Sequence, residues 1–159
     1  MSPQERDKLL ITSGIFLGIG LGGFVDGILF HQILQTHSMV SAMHPPDTVV
    51  NLQVNMVWDG LFHILTWIMT VTGILLLWKV TNSSPVRLLG KTLFGASVLG
   101  WGLFNLVEGI IDHHILHVHH VVERLGVSFY DYLFLASGVI LIVTGILMIR
   151  ASRKPILGW

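Results

Sequence analysis

The sequence predicts an all-α integral membrane protein, a four-helix bundle built from a duplicated two-helix unit. The 159 residues are 52% hydrophobic and only 11% charged, whereas charged residues make up about a quarter of a soluble domain. The apolar residues fall into four long blocks, each near the ~20 residues that a helix needs to cross a bilayer. The two halves of the sequence also repeat one another at fixed offsets. Together these observations exclude a soluble fold.

Four helices account for nearly the whole chain, which is expected to form a single transmembrane domain over residues 1–159. The helices are predicted, in order, at 9–37, 54–80, 88–119 and 128–150. The first apolar run is longer than the core of a secretory signal and lacks a small-residue cleavage site, so we expect a retained first helix. The connections are too short to hold a soluble domain.

Two offsets carry the internal repeat. An offset of 82 aligns 17–37 with 99–119, where eleven of the 21 positions are identical, and an offset of 72 matches Asp59 to Leu75 with the fourth helix. Chance matching of apolar sequence does not reproduce Gly and His together. Repeat one therefore spans 9–80 and repeat two 88–150. Both repeats begin on the same membrane side, which predicts a parallel repeat with a pseudo-twofold axis along the membrane normal. Six glycines are expected at close helix contacts: Gly20, Gly23, Gly27, Gly100, Gly102 and Gly109.

The basic residues are distributed unequally between the two predicted sides. Eight lie on the side of the termini and the connection between helices two and three: Arg6, Lys8, Lys79, Arg87, Lys91, Arg150, Arg153 and Lys154. Arg124 alone lies opposite. The positive-inside rule therefore predicts a multi-pass protein of the bacterial inner membrane with both termini cytoplasmic. The lipid bilayer is the expected surrounding, and neutral net charge without a basic aromatic patch excludes nucleic acid as a partner.

Acids and histidines gather at one predicted depth, the outer leaflet. They end helices one and three and begin helices two and four. An isolated charge inside the bilayer costs a few kcal/mol, and no Lys or Arg lies nearby to compensate these acids. A metal dication would neutralise them, and the absence of Cys leaves imidazole and carboxylate as ligands for copper, iron or zinc. The predicted metal ligands are Asp26, His31, His37, Asp59, His63, Glu108, Asp112, His113, His117, His119 and Asp131.

Helical spacing groups some of these ligands and separates others. Asp59 and His63 are four residues apart and share a helix face, as do His113 and His117. Asp26 and His31 are five apart, about 140° around a regular helix. They can therefore meet one ion only if the helix bends, for which Gly27 offers a place.

The two repeats are not identical at the predicted site. Leu135 stands where His63 would recur in the second repeat. Metal is therefore expected to be bound unequally, with Asp59 and His63 on one side and Glu108, His113 and His117 on the other. Hydrogen bonds from Gln35, Asn55 or Asn105 are expected to orient the imidazoles.

Two motifs resemble a known family. These are Gly-Gly-Phe-Val-Asp-Gly-Ile-Leu-Phe-His-Gln-Ile-Leu-Gln at 22–35 and Asp-Gly-Leu-Phe-His at 59–63. They are similar to a family of predicted bacterial membrane proteins known as domain of unknown function 2243, and the resemblance covers most of the chain. It implies a four-helix membrane fold and no established activity. It also implies that Asp26, His31, Asp59 and His63 belong to the family pattern.

The functional prediction is a membrane metalloprotein with a mononuclear or dinuclear site. If it is catalytic, a redox enzyme acting on a small or lipophilic substrate is expected. One alternative is a haem protein with His31 and His113 as axial ligands. Another is a non-catalytic copper carrier or assembly factor for a respiratory oxidase, with a copper-binding loop of His37, Met39, Met43 and His44. A respiratory oxidase and a second copy of the chain are the protein partners considered.

Overall fold

A computed structural model of the chain describes residues 1–82 and 89–152, and within these ranges the protein is helical without strands. The helices are α1 (Pro3–Val25), α2 (Val49–Asn82), α3 (Leu89–Glu108) and α4 (Phe129–Ser152). A 3-10 turn covers Glu123–Leu125. In the described part of the chain, four helices are long and apolar enough to cross a membrane. The predicted all-α membrane fold is confirmed to that extent, and Arg87, Arg153 and Lys154 lie outside the described residues.

The first helix begins six residues earlier than the sequence predicts. Ser2 and Glu5 form a capping box, in which the Glu5 N–H donates to the Ser2 hydroxyl at 3.2 Å and the Ser2 N–H donates to the Glu5 carboxylate at 2.8 Å. These two bonds satisfy N–H groups that a helix start would otherwise leave unpaired. The apolar run does not include these polar residues, so its length does not predict where the helix begins.

Near their C-terminal ends, α1 and α3 change from α-helical to π-helical hydrogen bonding. α1 continues as a π-helical segment at Asp26–Ile33, and α3 continues as a second one at Gly109–Ile115. In a π-helix the hydrogen bonds join residues five apart, so side chains five apart approach one face. The Leu34 N–H accordingly donates to the Leu29 carbonyl at 2.8 Å, and the Leu116 N–H donates to the Ile111 carbonyl at 2.7 Å. These two bonds lie 82 positions apart.

The two π-helical segments also end alike. Gln35 and His117 have left-handed backbones, with φ of 51° and 49°, a conformation that side chains other than Gly rarely adopt. The helical turns therefore stop at Ile33 and Ile115, four residues before the predicted ends. The chain reverses direction at these points, and the residues that follow therefore lie beside the helix ends.

α1 and α3 form the centre of the molecule. Their backbones come so close that a Cβ at Gly18 would overlap the Ser97 carbonyl, and one at Gly100 would overlap the Ile15 carbonyl. α2 packs on α1 and α4 packs on α3, while no contact joins α2 to α4 among the described residues. The helices are thus more open than the compact bundle that the sequence predicts. The six glycines singled out by sequence all lie against a neighbouring helix.

The two long connections meet at one end of the molecule, called here the loop end (residues 34–48 and 116–128). The Ala42 N–H donates to the Val118 carbonyl at 3.1 Å, and the Glu123 N–H donates to the Thr36 carbonyl at 3.0 Å. The π-helical segments and the beginnings of α2 and α4 reach the same end. The predicted ligands on all four helices therefore share one depth.

Candidate metal centre

Four buried imidazoles form the centre of the loop end. His31, His37, His113 and His119 are at most 4% exposed, and we call them the imidazole cluster. The ring centroids of His37 and His119 are 4.7 Å apart with the rings parallel. His31 lies 4.6 Å from His37, and His113 lies 4.9 Å from His119. Each half of the chain thus supplies one histidine from its π-helical segment and one from the turn that follows.

Two carboxylates face this cluster from the helices. Asp26 Oδ2 lies 3.0 Å from His31 Nε2 and Asp26 Oδ1 lies 3.8 Å from His37 Nε2. Glu108 Oε1 lies 3.5 Å from His119 Nε2. Both acids are 4% exposed. Buried carboxylates at this depth need a positive partner.

The π-helical turn explains how Asp26 meets His31. A regular helix would place them about 140° apart, and the sequence argument therefore requires a bend at Gly27. The structure has a π-helical segment instead, and its wider turn brings residues five apart together. Glu108 and His113 have the same spacing: Glu108 directly precedes the second such segment and His113 lies within it. π-Helical insertions within α-helices are frequent at functional sites.

The outward nitrogens of the cluster are all held. The Nδ1–H of His37 donates to the Val121 carbonyl at 3.1 Å, and that of His119 donates to the Met39 carbonyl at 3.0 Å. A carbonyl oxygen can only accept, so it fixes the tautomer with the proton on Nδ1 and the lone pair on Nε2. The Nε2 atom of each ring therefore faces the cluster as a free ligand atom.

Asp59 and Asp131 face the outer nitrogens of the other two rings. Asp59 Oδ1 lies 2.9 Å from His31 Nδ1, and Asp131 Oδ1 lies 3.1 Å from His113 Nδ1. The same oxygens accept the Met39 N–H at 2.8 Å and the Val121 N–H at 3.0 Å. A carboxylate on the outer nitrogen of a metal-binding histidine orients the ring and raises its basicity. These two acids, which sequence spacing suggested as ligands, lie behind the imidazoles.

Most inward atoms of the site have no hydrogen-bond partner. These atoms are Nε2 of His37, His113 and His119 and both carboxylate oxygens of Glu108, while His31 Nε2 and Asp26 Oδ2 face only each other at 3.0 Å. Buried polar groups are paired in the great majority of native structures. Acceptors that face one another require a proton or a cation between them. No Lys or Arg is among the described residues that contact this group.

The surroundings of His119 disfavour its charged form. It lies in the connection between the third and fourth candidate spans, which end at Ile115 and begin at Phe129. Burial lowers the pKa of His119 well below its usual value, and the neighbouring His37 and His113 lower that pKa further. The ring is therefore neutral at pH 7, which is the form that binds a metal.

Two groups of three residues have the geometry of a metal site. His31, His37 and His119 each offer an atom within 4.8 Å of the others, and Glu108, His113 and His119 do the same. The groups share His119, so two cation positions would lie side by side. The donor set is nitrogen and oxygen, as expected for zinc, iron or copper.

Two of the predicted ligand histidines, His63 and His117, lie outside these groups. The Nδ1–H of His63 donates to the carbonyl of Asp59 at 2.8 Å, one turn earlier in α2, and the ring lies against Phe24 and Phe62. His117 is exposed in the left-handed turn. It does not share a helix face with His113, because the helix has ended at Ile115.

The expected unequal division is therefore not the arrangement that the structure brings together. The two halves contribute matching residues to the cluster instead. Asp112 is half-buried in the second π-helical segment and belongs to neither group of three. The expected orienting residues also lie elsewhere: the Asn55 amide donates to the His44 carbonyl at 2.7 Å, and the Asn105 amide donates to Ser137 at 2.9 Å.

Glu123 is a residue that the sequence argument missed. Its Oε2 accepts the Ser41 hydroxyl at 2.9 Å and the His120 N–H at 3.1 Å, and so it joins the two connections over the cluster. His120 is 6% exposed, with Nδ1 3.6 Å from Asp131 Oδ1. A single acid in a polar loop carries no sequence signal of this role.

A cleft of about 810 Å³ reaches the site from the first half of the chain. His31, His37 and Asp59 lie at its inner wall, and Arg124 also lines it. The cluster is thus buried but adjacent to open space.

Comparison with known proteins assigns the chain to a family without assigning an activity. The model of the family described as predicted membrane protein (DUF2243) matches residues 13–152. Searches of curated proteins and of solved structures found no match. The match covers most of the chain, including both π-helical segments and all four imidazoles of the cluster, and the chain therefore belongs to this family of predicted membrane proteins.

Proposed function

We propose that the protein is a membrane metalloprotein that holds two transition-metal ions in the imidazole cluster. Asp26, His31 and His37 would serve one ion, and Glu108, His113 and His119 would serve the other. The observation that carries the proposal is the set of buried, unpartnered Nε2 and carboxylate atoms that face one another. Two dications would supply the positive charge that these carboxylates lack.

The surroundings of the rings support a metal rather than a purely structural role. Every outer Nδ1 has a carbonyl or carboxylate neighbour, namely the Val121 and Met39 carbonyls, Asp59 and Asp131. A ring that only bridged two helices would use both nitrogens for protein hydrogen bonds. Here the second nitrogen of His37, His113 and His119 has no hydrogen-bond partner, which is the usual state of a metal-ligating histidine, while that of His31 faces the Asp26 carboxylate at 3.0 Å.

We also propose that the chain consists of a duplicated two-helix unit. Contacts that link corresponding residues of the halves support it: His37 reaches the Val121 carbonyl, and His119 reaches the Met39 carbonyl. A parallel repeat with a pseudo-twofold axis along the membrane normal would produce such reciprocal contacts. The distribution of Lys and Arg supports both termini in the cytoplasm of a bacterial inner membrane, with the metal centre at the outer side.

We further propose a catalytic role, as a metal-dependent membrane oxidoreductase. The cleft beside His31 and His37 supports it, because a substrate there would lie next to the ligands of one ion. A bound transition metal would supply Lewis-acid or redox chemistry. The protein groups would orient the imidazoles, limit water and position the substrate. A copper carrier for a respiratory oxidase is less well supported, because ligands at most 4% exposed do not offer an ion for transfer.

A haem fits this site less well. Axial ligation by His31 and His113 would require a porphyrin plane between the two rings. His37 and His119 occupy that space, since His37 lies 4.6 Å from His31 and 6.3 Å from His113, and His119 lies 5.9 Å and 4.9 Å from them. Both nitrogens of His31 also face carboxylates. The site has room for ions and not for a macrocycle.

Elemental analysis of the purified chain tests the proposed function. The protein is purified without chelator, with an affinity tag that contains no histidine, and its metals are counted by mass spectrometry. We expect about two transition-metal ions per chain from the two groups of ligands, and a loss of at least one in His119→Ala. His117→Ala is the matched control, because it removes an exposed imidazole two residues away. Metal well below one ion per chain, or equal effects of the two variants, would overturn the proposal.

A further inference from the structure

We propose that the cleft beside the metal centre binds a small organic carboxylate with an apolar body, with Arg124 as its anchor. This inference rests on the proposed function, because it places a substrate class beside the first group of ligands. It names the class of ligand for the cleft, which the proposed function leaves unspecified.

The dimensions and the lining of the cleft fit such a ligand. Its volume of about 810 Å³ lies within the ~300–1,000 Å³ typical of small-molecule sites. Leu34, Leu52 and Met56 provide apolar surface. The inner wall is formed by His31 and His37, ligands of the proposed centre. A molecule with one apolar part and one charged group would match this division.

Arg124 determines the charge that the cleft selects. It is the cation in the lining and makes no ion pair within the part of the chain that the structure describes. The two acids in the lining are already engaged: Glu123 accepts from Ser41 and His120, and Asp59 lies against His31. An exposed guanidinium beside engaged acids favours an anion, and Arg binds carboxylates through two parallel hydrogen bonds.

The first half of the molecule is open where the second is closed. Asp59 Oδ2 has only a 3.4 Å contact with Gln32 on the cleft side. The corresponding Asp131 Oδ2 accepts both the N–H and the hydroxyl of Ser128, at 2.8 and 3.0 Å. The residue that corresponds to Gln32 is His114, and its Nδ1–H donates to the Gly109 carbonyl at 2.7 Å.

This difference follows from sequence divergence between the halves. The first connection is the longer one, and its residues Ser38, Ser41 and Pro46 line the cleft. A duplicated protein that binds two similar ions and one substrate would need matching metal ligands in both halves, but substrate access from only one half. We therefore infer that the ligand approaches the ion of the first half.

Equilibrium dialysis of radiolabelled benzoate against the purified, metal-loaded chain tests the inference. We expect saturable binding of one benzoate per chain, weakened about 10-fold or more in Arg124→Gln. Arg150→Gln is the matched control, since it removes an exposed arginine at the end of α4, and its affinity should equal that of the parent. Arg124 lies in an exposed turn, so its replacement should leave the fold intact.

Competing ligands test the need for a carboxylate and for an apolar body. Octanoate should displace benzoate better than acetate does, because it has the apolar body; acetate that competes as well as octanoate would refute the apolar part of the proposal. Inorganic phosphate should not compete at the same concentration. Absence of saturable benzoate binding, or equal affinity in Arg124→Gln and the parent, would overturn the inference.

Metal is counted in the same samples, so the two proposals fail separately. Loaded protein that does not bind benzoate would refute the cleft proposal alone. Protein that takes up no metal on loading but still binds benzoate through Arg124 would refute the metal proposal alone.

Discussion

Removing the charge of Asp59 or Asp131 should weaken metal binding without abolishing it. Both acids lie behind an imidazole, at 2.9 Å from His31 Nδ1 and 3.1 Å from His113 Nδ1. Asn has nearly the same shape and retains one oxygen that can accept from the ring and from the backbone N–H nearby. The perturbation in Asp59→Asn is therefore mainly the loss of a negative charge, whereas Asp131→Asn also removes the oxygen that accepts the N–H and hydroxyl of Ser128.

The expected magnitude follows from the position of these acids. Loss of a hydrogen-bonding partner behind a metal-binding histidine typically costs 10- to 100-fold in metal affinity, which is about 1.4 to 2.7 kcal/mol. Because Asp131 also accepts two hydrogen bonds from Ser128, Asp131→Asn should cost at least as much metal affinity as Asp59→Asn. Loss of a true ligand, as in His119→Ala, should cost far more.

Competition with a chromophoric zinc chelator in detergent solution measures these affinities. Asp47→Asn is the matched control, because Asp47 is exposed in the first connection and should leave the zinc affinity unchanged. Full affinity in both Asp59→Asn and Asp131→Asn would refute the orienting role. A loss as large as that of His119→Ala would also refute it, because it would identify the carboxylate as a direct ligand.

Three further predictions concern packing, backbone strain and topology. Gly18→Ala should destabilise the folded protein by about 1–3 kcal/mol, because its Cβ would overlap the Ser97 carbonyl. Gly60→Ala, with no atom within 4 Å of its Cβ, should instead raise thermal stability slightly. Equal melting temperatures of the two variants would contradict the close contact at Gly18. His117→Gly should stabilise the fold by up to about 1 kcal/mol by relieving the left-handed backbone, and a lower denaturation midpoint would contradict that reasoning. The chain has no Cys, so Asp47→Cys should react with a membrane-impermeant maleimide in spheroplasts and Ser2→Cys only after lysis; the opposite pattern would reverse the orientation.

The helices and their shared depth could be predicted from the sequence, because both depend on properties that a single chain displays. The length of an apolar run reflects the thickness of the bilayer, and acids without nearby Lys or Arg indicate that a cation must compensate their charge. These properties placed Asp26, His31 and Glu108 near one another. They also assigned the ends of helices one and three and the beginnings of helices two and four to one functional region.

The form of the site depended on backbone geometry that the sequence does not display. Regular helical spacing separates Asp26 from His31, and only the π-helical turn joins them. The same spacing joins His113 with His117, and the end of the helix at Ile115 separates them. His37 reaches the cluster from a turn rather than from the helix on which spacing placed it. Residue types were thus a better guide than helical phase.

Metal placement by anomalous X-ray scattering tests the central claim most directly. Crystals of the zinc-loaded protein, measured on both sides of the zinc absorption edge, would show the ions themselves. We predict two adjacent anomalous peaks inside the imidazole cluster, each about 2.0–2.1 Å from the Nε2 atoms that bind it, with Asp26 at one and Glu108 at the other. Peaks confined to the exposed His44 or His117, or a cluster without any peak in zinc-loaded crystals, would contradict the account.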